Sequence, residues 1–193
     1  MSISLTKGQR VSLTKNHPSL QKVLIGLSWD ANRYDGEADF DLDLSAFLCG
    51  ANGKCTSDSD FVFYGQLRHP SGAVCHSGDN RTGDADGDDE VMSVDLSKIP
   101  ADCQSIVFVT TIYDAVVREQ DFGLINNACI HVVDQMTNEE IALFDLSNAY
   151  ANETAVLICE LYRSNNGWIF HAIGDSRSCG LAAFCAQYGI DAS

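Results

Sequence analysis

Phe40-Asp41-Leu42-Asp43-Leu44-Ser45-Ala46 alternates strictly between apolar and polar residues. Successive side chains of a strand point to opposite faces, so this pattern predicts a half-buried β-strand carrying both aspartates on one face. Upstream, Val23-Leu24-Ile25-Gly26-Leu27-Ser28-Trp29 is short, partly β-branched and bounded by polar residues, and reads as a second strand. Downstream, Ala51-Asn52-Gly53-Lys54 supplies the Asn-Gly pair that closes hairpins. More strands are expected at Asp60–Tyr64, Ala73–His76, Glu90–Leu96, Ser105–Tyr113, Cys129–Val133, Glu140–Phe144, Thr154–Tyr162 and Trp168–Ile173. Short strands spaced by Gly, Asn and Asp turns predict a mainly β fold, an antiparallel β-sandwich of two packed sheets with a few short helices. Leu181–Tyr188, stopped by Gly189, is the clearest helix, while Ala115–Asn127 reads either as a short helix or as an irregular excursion.

A chain of 193 residues builds one good core, and only three prolines and no low-complexity linker interrupt it, so residues 1–193 are expected to form a single domain. With 45% apolar and 20% charged residues the composition is that of a folded protein. No apolar run approaches the roughly 18–20 residues of a membrane span, and Met1-Ser2-Ile3-Ser4-Leu5-Thr6-Lys7 lacks the apolar stretch of a secretion signal. A cytoplasmic location is therefore expected. The eight cysteines form no CxxC pair and mostly sit in apolar runs such as Val156-Leu157-Ile158-Cys159, which predicts reduced, largely buried thiols and no zinc site.

The net charge of −15 argues against a nucleic-acid partner. Its distribution is more telling: residues 28–95 hold fifteen acidic side chains against four basic ones. Two carboxylates about 4 Å apart repel by roughly 4 kcal/mol at an effective dielectric near 20, so such crowding needs wide solvation or a cation. Two segments concentrate the charge, Trp29 to Asp43 and Ser77 to Glu90. Calcium takes six to eight oxygen ligands from carboxylates, amides and carbonyls, and both segments have that inventory. Asp41 and Asp43 point the same way on a strand, about 7 Å apart by the backbone rise, and can clamp one ion together or one each. In the second segment Gly78, Gly83 and Gly87 permit sharp turns, and Asp79, Asn80, Asp86, Asp88, Asp89 and Glu90 supply oxygens. The absence of soft ligands favours calcium over zinc or copper, and magnesium's preference for retained water points away from it.

Other templates fail. An EF-hand begun at Asp84 places Asp89 where glycine is obligatory, and one begun at Asp30 fails at Tyr34 and Asp35. Gly78-Asp79-Asn80-Arg81-Thr82-Gly83 has the spacing of the first half of a phosphate-binding loop, but Asp84 and Ala85 follow where Lys and Ser or Thr belong. His69 and His76 flank the second segment, with a hydrogen-bonding role favoured over a metal role. Paired carboxylates beside a metal leave open a metal-dependent phosphoester hydrolase, and a metal-free interaction scaffold is the third reading. A non-enzymatic calcium protein is preferred.

Gly26-Leu27-Ser28-Trp29-Asp30, Phe40-Asp41-Leu42-Asp43, Asp60-Phe61-Val62-Phe63-Tyr64, His76-Ser77-Gly78-Asp79-Asn80-Arg81-Thr82-Gly83 and Asp86-Gly87-Asp88-Asp89-Glu90, with Asp95-Leu96-Ser97-Lys98-Ile99-Pro100 and Glu160-Leu161-Tyr162-Arg163, together carry a family resemblance. Over nearly its whole length the chain resembles the TerD-like tellurium-resistance and calcium-binding stress proteins, and in length and cysteine content its TerZ branch. The resemblance implies a β-sandwich that binds calcium, as two ions, through Asp30, Asp41, Asp43, Asp79, Asn80, Asp86, Asp88, Asp89 and Glu90. It also implies a cytoplasmic role in resistance to tellurite, phage and other stress, with partners among other ter-operon products, some at the inner face of the membrane. Ser28 and Ala85 depart from the family's usual glycines. On this reading calcium joins the two acidic loops and organises one end of the sandwich into a surface for partners.

Overall fold

The chain was analysed as a computed structural model that describes residues 2–30, 39–81, 87–146 and 150–191. Its strands are β1 (Ile3–Leu5), β2 (Arg10–Ser12), β3 (Lys22–Ser28), β4 (Leu42–Cys49), β5 (Phe61–Val62) and β6 (Val74–His76), followed by β7 (Glu90–Asp95), β8 (Ser105–Ile112), β9 (Cys129–Asp134), β10 (Glu139–Asp145), β11 (Ala155–Ser164) and β12 (Gly167–Arg177). Two short helices, α1 (Leu13–Asn16) and α2 (Leu181–Tyr188), complete the regular structure with two 3-10 turns. One six-stranded sheet runs β1-β10-β9-β3-β7-β6 and the other β2-β12-β11-β8-β4-β5. The expected two-sheet architecture is what forms, with one exception to its antiparallel character: β1 pairs in parallel with β10.

The inner faces pack on one another through residues such as Ile25 and Leu27 of β3, Ile130 and Val132 of β9, Leu44 of β4 and Phe108 of β8. A second, smaller core lies on the outer face of the second sheet. There α2 lays Phe184 and Tyr188 over Phe47, Val109 and Leu157. Phe47 stacks on Phe61 at 4.6 Å and meets Tyr188 at 4.8 Å between ring centroids. This explains why β4 is buried along its whole length rather than half-buried. Leu42, Leu44, Ala46 and Leu48 face the main core, while Phe47 and Cys49 face the one under α2. Asp43 and Ser45 share that second face.

The segment 115–127 is irregular, built of turns and a single 3-10 turn at Phe122–Leu124, so the excursion and not the helix forms. β1 and β2 were not among the expected strands; three residues are too few for alternation to show. All eight cysteines are free thiols, five of them buried. Among the described residues no helix is long and apolar enough to cross a membrane.

Phe184 is fully buried and holds α2 against the sheet. Phe184→Ala is expected to lower unfolding stability by about 3–5 kcal/mol, read from urea denaturation, because the flat sheet beneath cannot collapse into the void.

Candidate metal centre

The two acidic segments meet because three strand ends meet. β3 delivers the chain to Trp29, whose indole N–H donates to the Phe40 carbonyl at 3.2 Å and so fixes the approach to β4. β6 and β7 lie side by side in the opposite sheet. The connection between the sheets is polar. Leu44 donates its backbone N–H to Glu90 Oε2 at 2.6 Å, and its carbonyl accepts from His76 Nε2 at 3.1 Å. Gly78 N–H donates to His76 Nδ1 at 3.0 Å, which makes this ring the neutral tautomer protonated on Nε2. Both side chains are buried, so each of their polar atoms needs the partner it has. Glu90, expected as a calcium ligand, is bonded between the sheets, and His76 is hydrogen-bonded as the sequence favoured. His69 is likewise hydrogen-bonded, to Ser71 at 2.8 Å and Asp60 at 3.2 Å.

With Leu44 clamped, Asp41 and Asp43 are carried against Asp79. One carboxylate oxygen from each lies within 4.8 Å of the others. That is closer than the backbone rise between Asp41 and Asp43 requires, so the side chains converge. Two oxygens bound to one calcium at about 2.4 Å are at most about 4.8 Å apart, and the hard, all-carboxylate donor set suits that ion. Asp41 and Asp43 are buried and Asp79 is exposed, giving the cluster one side open to solvent. Arg81 approaches Asp41 and Asp79 at 3.8 and 3.7 Å, and Arg118 approaches Asp41 at 3.7 Å. These are long contacts from the periphery, and they neutralise the cluster only in part.

The electrostatic result is a carboxyl group whose ionisation is opposed by its surroundings. Burial, then the charges of Glu90, Asp41 and Asp79, push Asp43 up to about 8, against a small opposing effect of Arg81. Burial and Asp79 likewise raise Asp41, opposed by Arg118 and Arg81. Burial also raises Glu90, though His76 and the Leu44 and Asn80 N–H groups act against it. The Tyr64 hydroxyl is raised by burial first, then by Asp43, Tyr113, Asp79 and Asp41, so this ring stands in the field of all three aspartates.

The remaining expected ligands are arranged differently. Asp89 accepts from Trp29 N–H at 3.0 Å and from Asn80 Nδ2 at 3.1 Å, tying the end of β3 to the second loop. Asp30 is exposed and accepts from Asn127 Nδ2 at 2.8 Å. Asp88 turns to the outer face of the first sheet, over Gly26, where a Cβ would fall 1.9 Å from its Oδ2. Its Oδ1 lies 3.7 Å from His131 Nε2, whose Nδ1 donates to Glu140 Oε2 at 2.8 Å, with Ser28 Oγ 3.4 Å from Nε2. Asp86 lies outside the described residues. His131, Glu140 and Tyr64 were not picked out by motif, since only strand pairing and the fold bring them beside the acidic residues.

The match to the TerD domain family spans residues 1–188. The chain is 51% identical over 193 residues to tellurium resistance protein TerD of Serratia marcescens, covering 100% of both. It is 52% identical over 190 residues to general stress protein 16U of Bacillus subtilis, covering 98% of each. A solved homologue of the telluride resistance protein TerD from Streptomyces coelicolor superposes with a TM-score of 0.71 at 21% identity, covering 86% of this chain and 95% of that one, which bears on the fold. The finer expectation of a TerZ affinity is corrected: the TerZ protein of Serratia marcescens is only 37% identical over 180 residues, well below its TerD counterpart. Shared length and cysteine content are weaker discriminators than the residues themselves. The chain belongs to the TerD domain family.

Proposed function

We propose that this protein is a calcium-binding member of the stress and tellurium-resistance proteins of its family, with one calcium ion held by Asp41, Asp43 and Asp79. The observation that carries this reading is the convergence of those three carboxylates, from two separate chain segments, within the span of a single ion's coordination sphere. The raised Asp43 supports it, because a carboxyl whose ionisation is opposed by burial and by neighbouring carboxylates is relieved by a cation. The ion would replace mutual repulsion with attraction and lock the loop after β6 to the start of β4. The names of the relatives, tellurium resistance and general stress proteins, supply the physiological setting. Calcium here acts structurally, organising one end of the sandwich into a surface for other proteins, with ter-operon products the proposed partners.

Calcium titrated into chelator-treated protein is expected to bind and to raise its melting temperature by about 5–10 °C at hundredfold excess over the dissociation constant, from about 2.7 kcal/mol of linkage. Asp43→Asn and Asp79→Asn are each expected to abolish that response, and Asp43→Asn to stabilise the metal-free protein at pH 8 by removing a crowded buried charge. Absence of calorimetric binding, or a full thermal response in both variants, rejects the reading.

The sign of the pH dependence follows from the same group. Burial and neighbouring carboxylates push Asp43 up to about 8 in the folded chain from its ordinary 3.8, so between those values the folded state binds the extra proton. Metal-free stability should therefore fall as pH rises from about 5 to about 8, by at most about 1.4 kcal/mol per pH unit for one proton. Asp41, Asp88 and Glu90 act in the same direction. Asp60, Asp95 and Glu140 are lowered and act only in the acid range below. Urea denaturation across this range in chelator checks it; saturating calcium is expected to flatten the slope, and a metal-free stability that climbs with pH contradicts the account.

A further inference from the structure

A cleft of about 370 Å³ opens beside Asp43 on the outer face of the second sheet. Its floor is the end of β8, where Thr111 pairs with Asp43 of β4. One wall is the turn after β8, residues 113–117, and the other is the chain entering α2, residues 178–181. The volume lies within the range of pockets that take small molecules, about 300–1,000 Å³.

Its chemistry is one-sided. Val116 and Val117 are 86% and 83% exposed, consecutive aliphatic side chains with nothing covering them, and both line the cleft. Tyr64 and Tyr113, partly exposed, contribute aromatic rings. Asp43 and Asp114 contribute carboxylates, and no Lys, Arg or His is among the described lining residues. Aliphatic and aromatic walls with carboxylates and no cation among the described lining residues repel an anion and attract an organic cation, to which a tyrosine face adds attraction. The neighbouring Arg118 already shows this preference, its guanidinium standing 5.1 Å from the Tyr113 ring centroid.

We propose that this cleft binds a small organic ammonium compound, with the charged nitrogen between Asp43 and Asp114 and an apolar body against Val116 and Val117. The site is separate from the calcium centre and shares only Asp43 with it, so the two cations compete. A bound metal draws the Asp43 carboxylate to itself, and a bound ammonium does the reverse.

The test uses metal-free full-length protein with two probes of matching shape and opposite charge, phenethylammonium and 3-phenylpropionate, followed by calorimetry and ligand-observed NMR. Phenethylammonium is expected to bind saturably and 3-phenylpropionate not at all. Asp114→Asn is expected to weaken binding about two- to fivefold, the effect of one exposed charge pair. Asp114 has a φ of 51°, a conformation asparagine adopts readily, so this variant tests the charge without straining the turn. Val116→Ser with Val117→Ser, both exposed in the free protein, is expected to weaken binding about tenfold by removing apolar contact. Saturating calcium should lower the affinity for phenethylammonium, and the ammonium should lower that for calcium. Equal binding of both probes, binding of neither, indifference to Asp114→Asn and the valine variant, or additive binding of calcium and ammonium each overturns the proposal. A flat calcium titration without ammonium rejects the calcium reading alone and leaves ammonium binding as its own result.

Discussion

Leu44 is gripped from the opposite sheet, its N–H by Glu90 and its carbonyl by His76. A sandwich is ordinarily joined through apolar contact, which is non-directional and tolerates sliding. A buried pair of hydrogen bonds to one residue's backbone does not tolerate it, because slippage would strand a buried carboxylate and an imidazole without partners. The register of β4 against β6 and β7 is thereby fixed, and with it the positions of Asp41, Asp43 and Asp79. The acidic centre is thus a consequence of how the two sheets are pinned together.

The second constraint is that β4 has no solvent face. One set of its side chains enters the main core, and the other runs from Asp43 through Ser45 to Phe47 and Cys49 under α2. Asp43 is therefore set at the edge of a core with other carboxylates beside it, and burial and those neighbours oppose its ionisation. The frustration is local, and on the proposed reading a cation relieves it. On that reading some stability of the metal-free fold is given up for a site that responds to the cation, as expected where function overrides local optimisation.

Much of this was legible in the chain. The alternation from Phe40 to Ala46 gives β4 its phase and puts Asp41 and Asp43 on one side, and the glycines around Asp79 mark a loop able to turn toward them. The double covering of β4 was missed, although Ala46-Phe47-Leu48-Cys49 abandons alternation for a continuous apolar run. Asp88, Asp89 and Glu90 were beyond local reading. Adjacent and chemically alike, they go three ways: over Gly26 toward His131, to the Trp29 N–H, and between the sheets to Leu44. Which way each goes depends on strands distant in sequence. The cleft beside Asp43 was hidden for the same reason, as it needs α2 and the turn after β8 on either side of one strand pair.

The most direct test is a crystal structure of the calcium-soaked protein with anomalous scattering collected to locate the ion. The account predicts a single strong peak bounded by the carboxylates of Asp41, Asp43 and Asp79 at about 2.3–2.6 Å. Calcium seated elsewhere, or those three side chains turned apart into solvent in crystals shown to contain the ion, would contradict it.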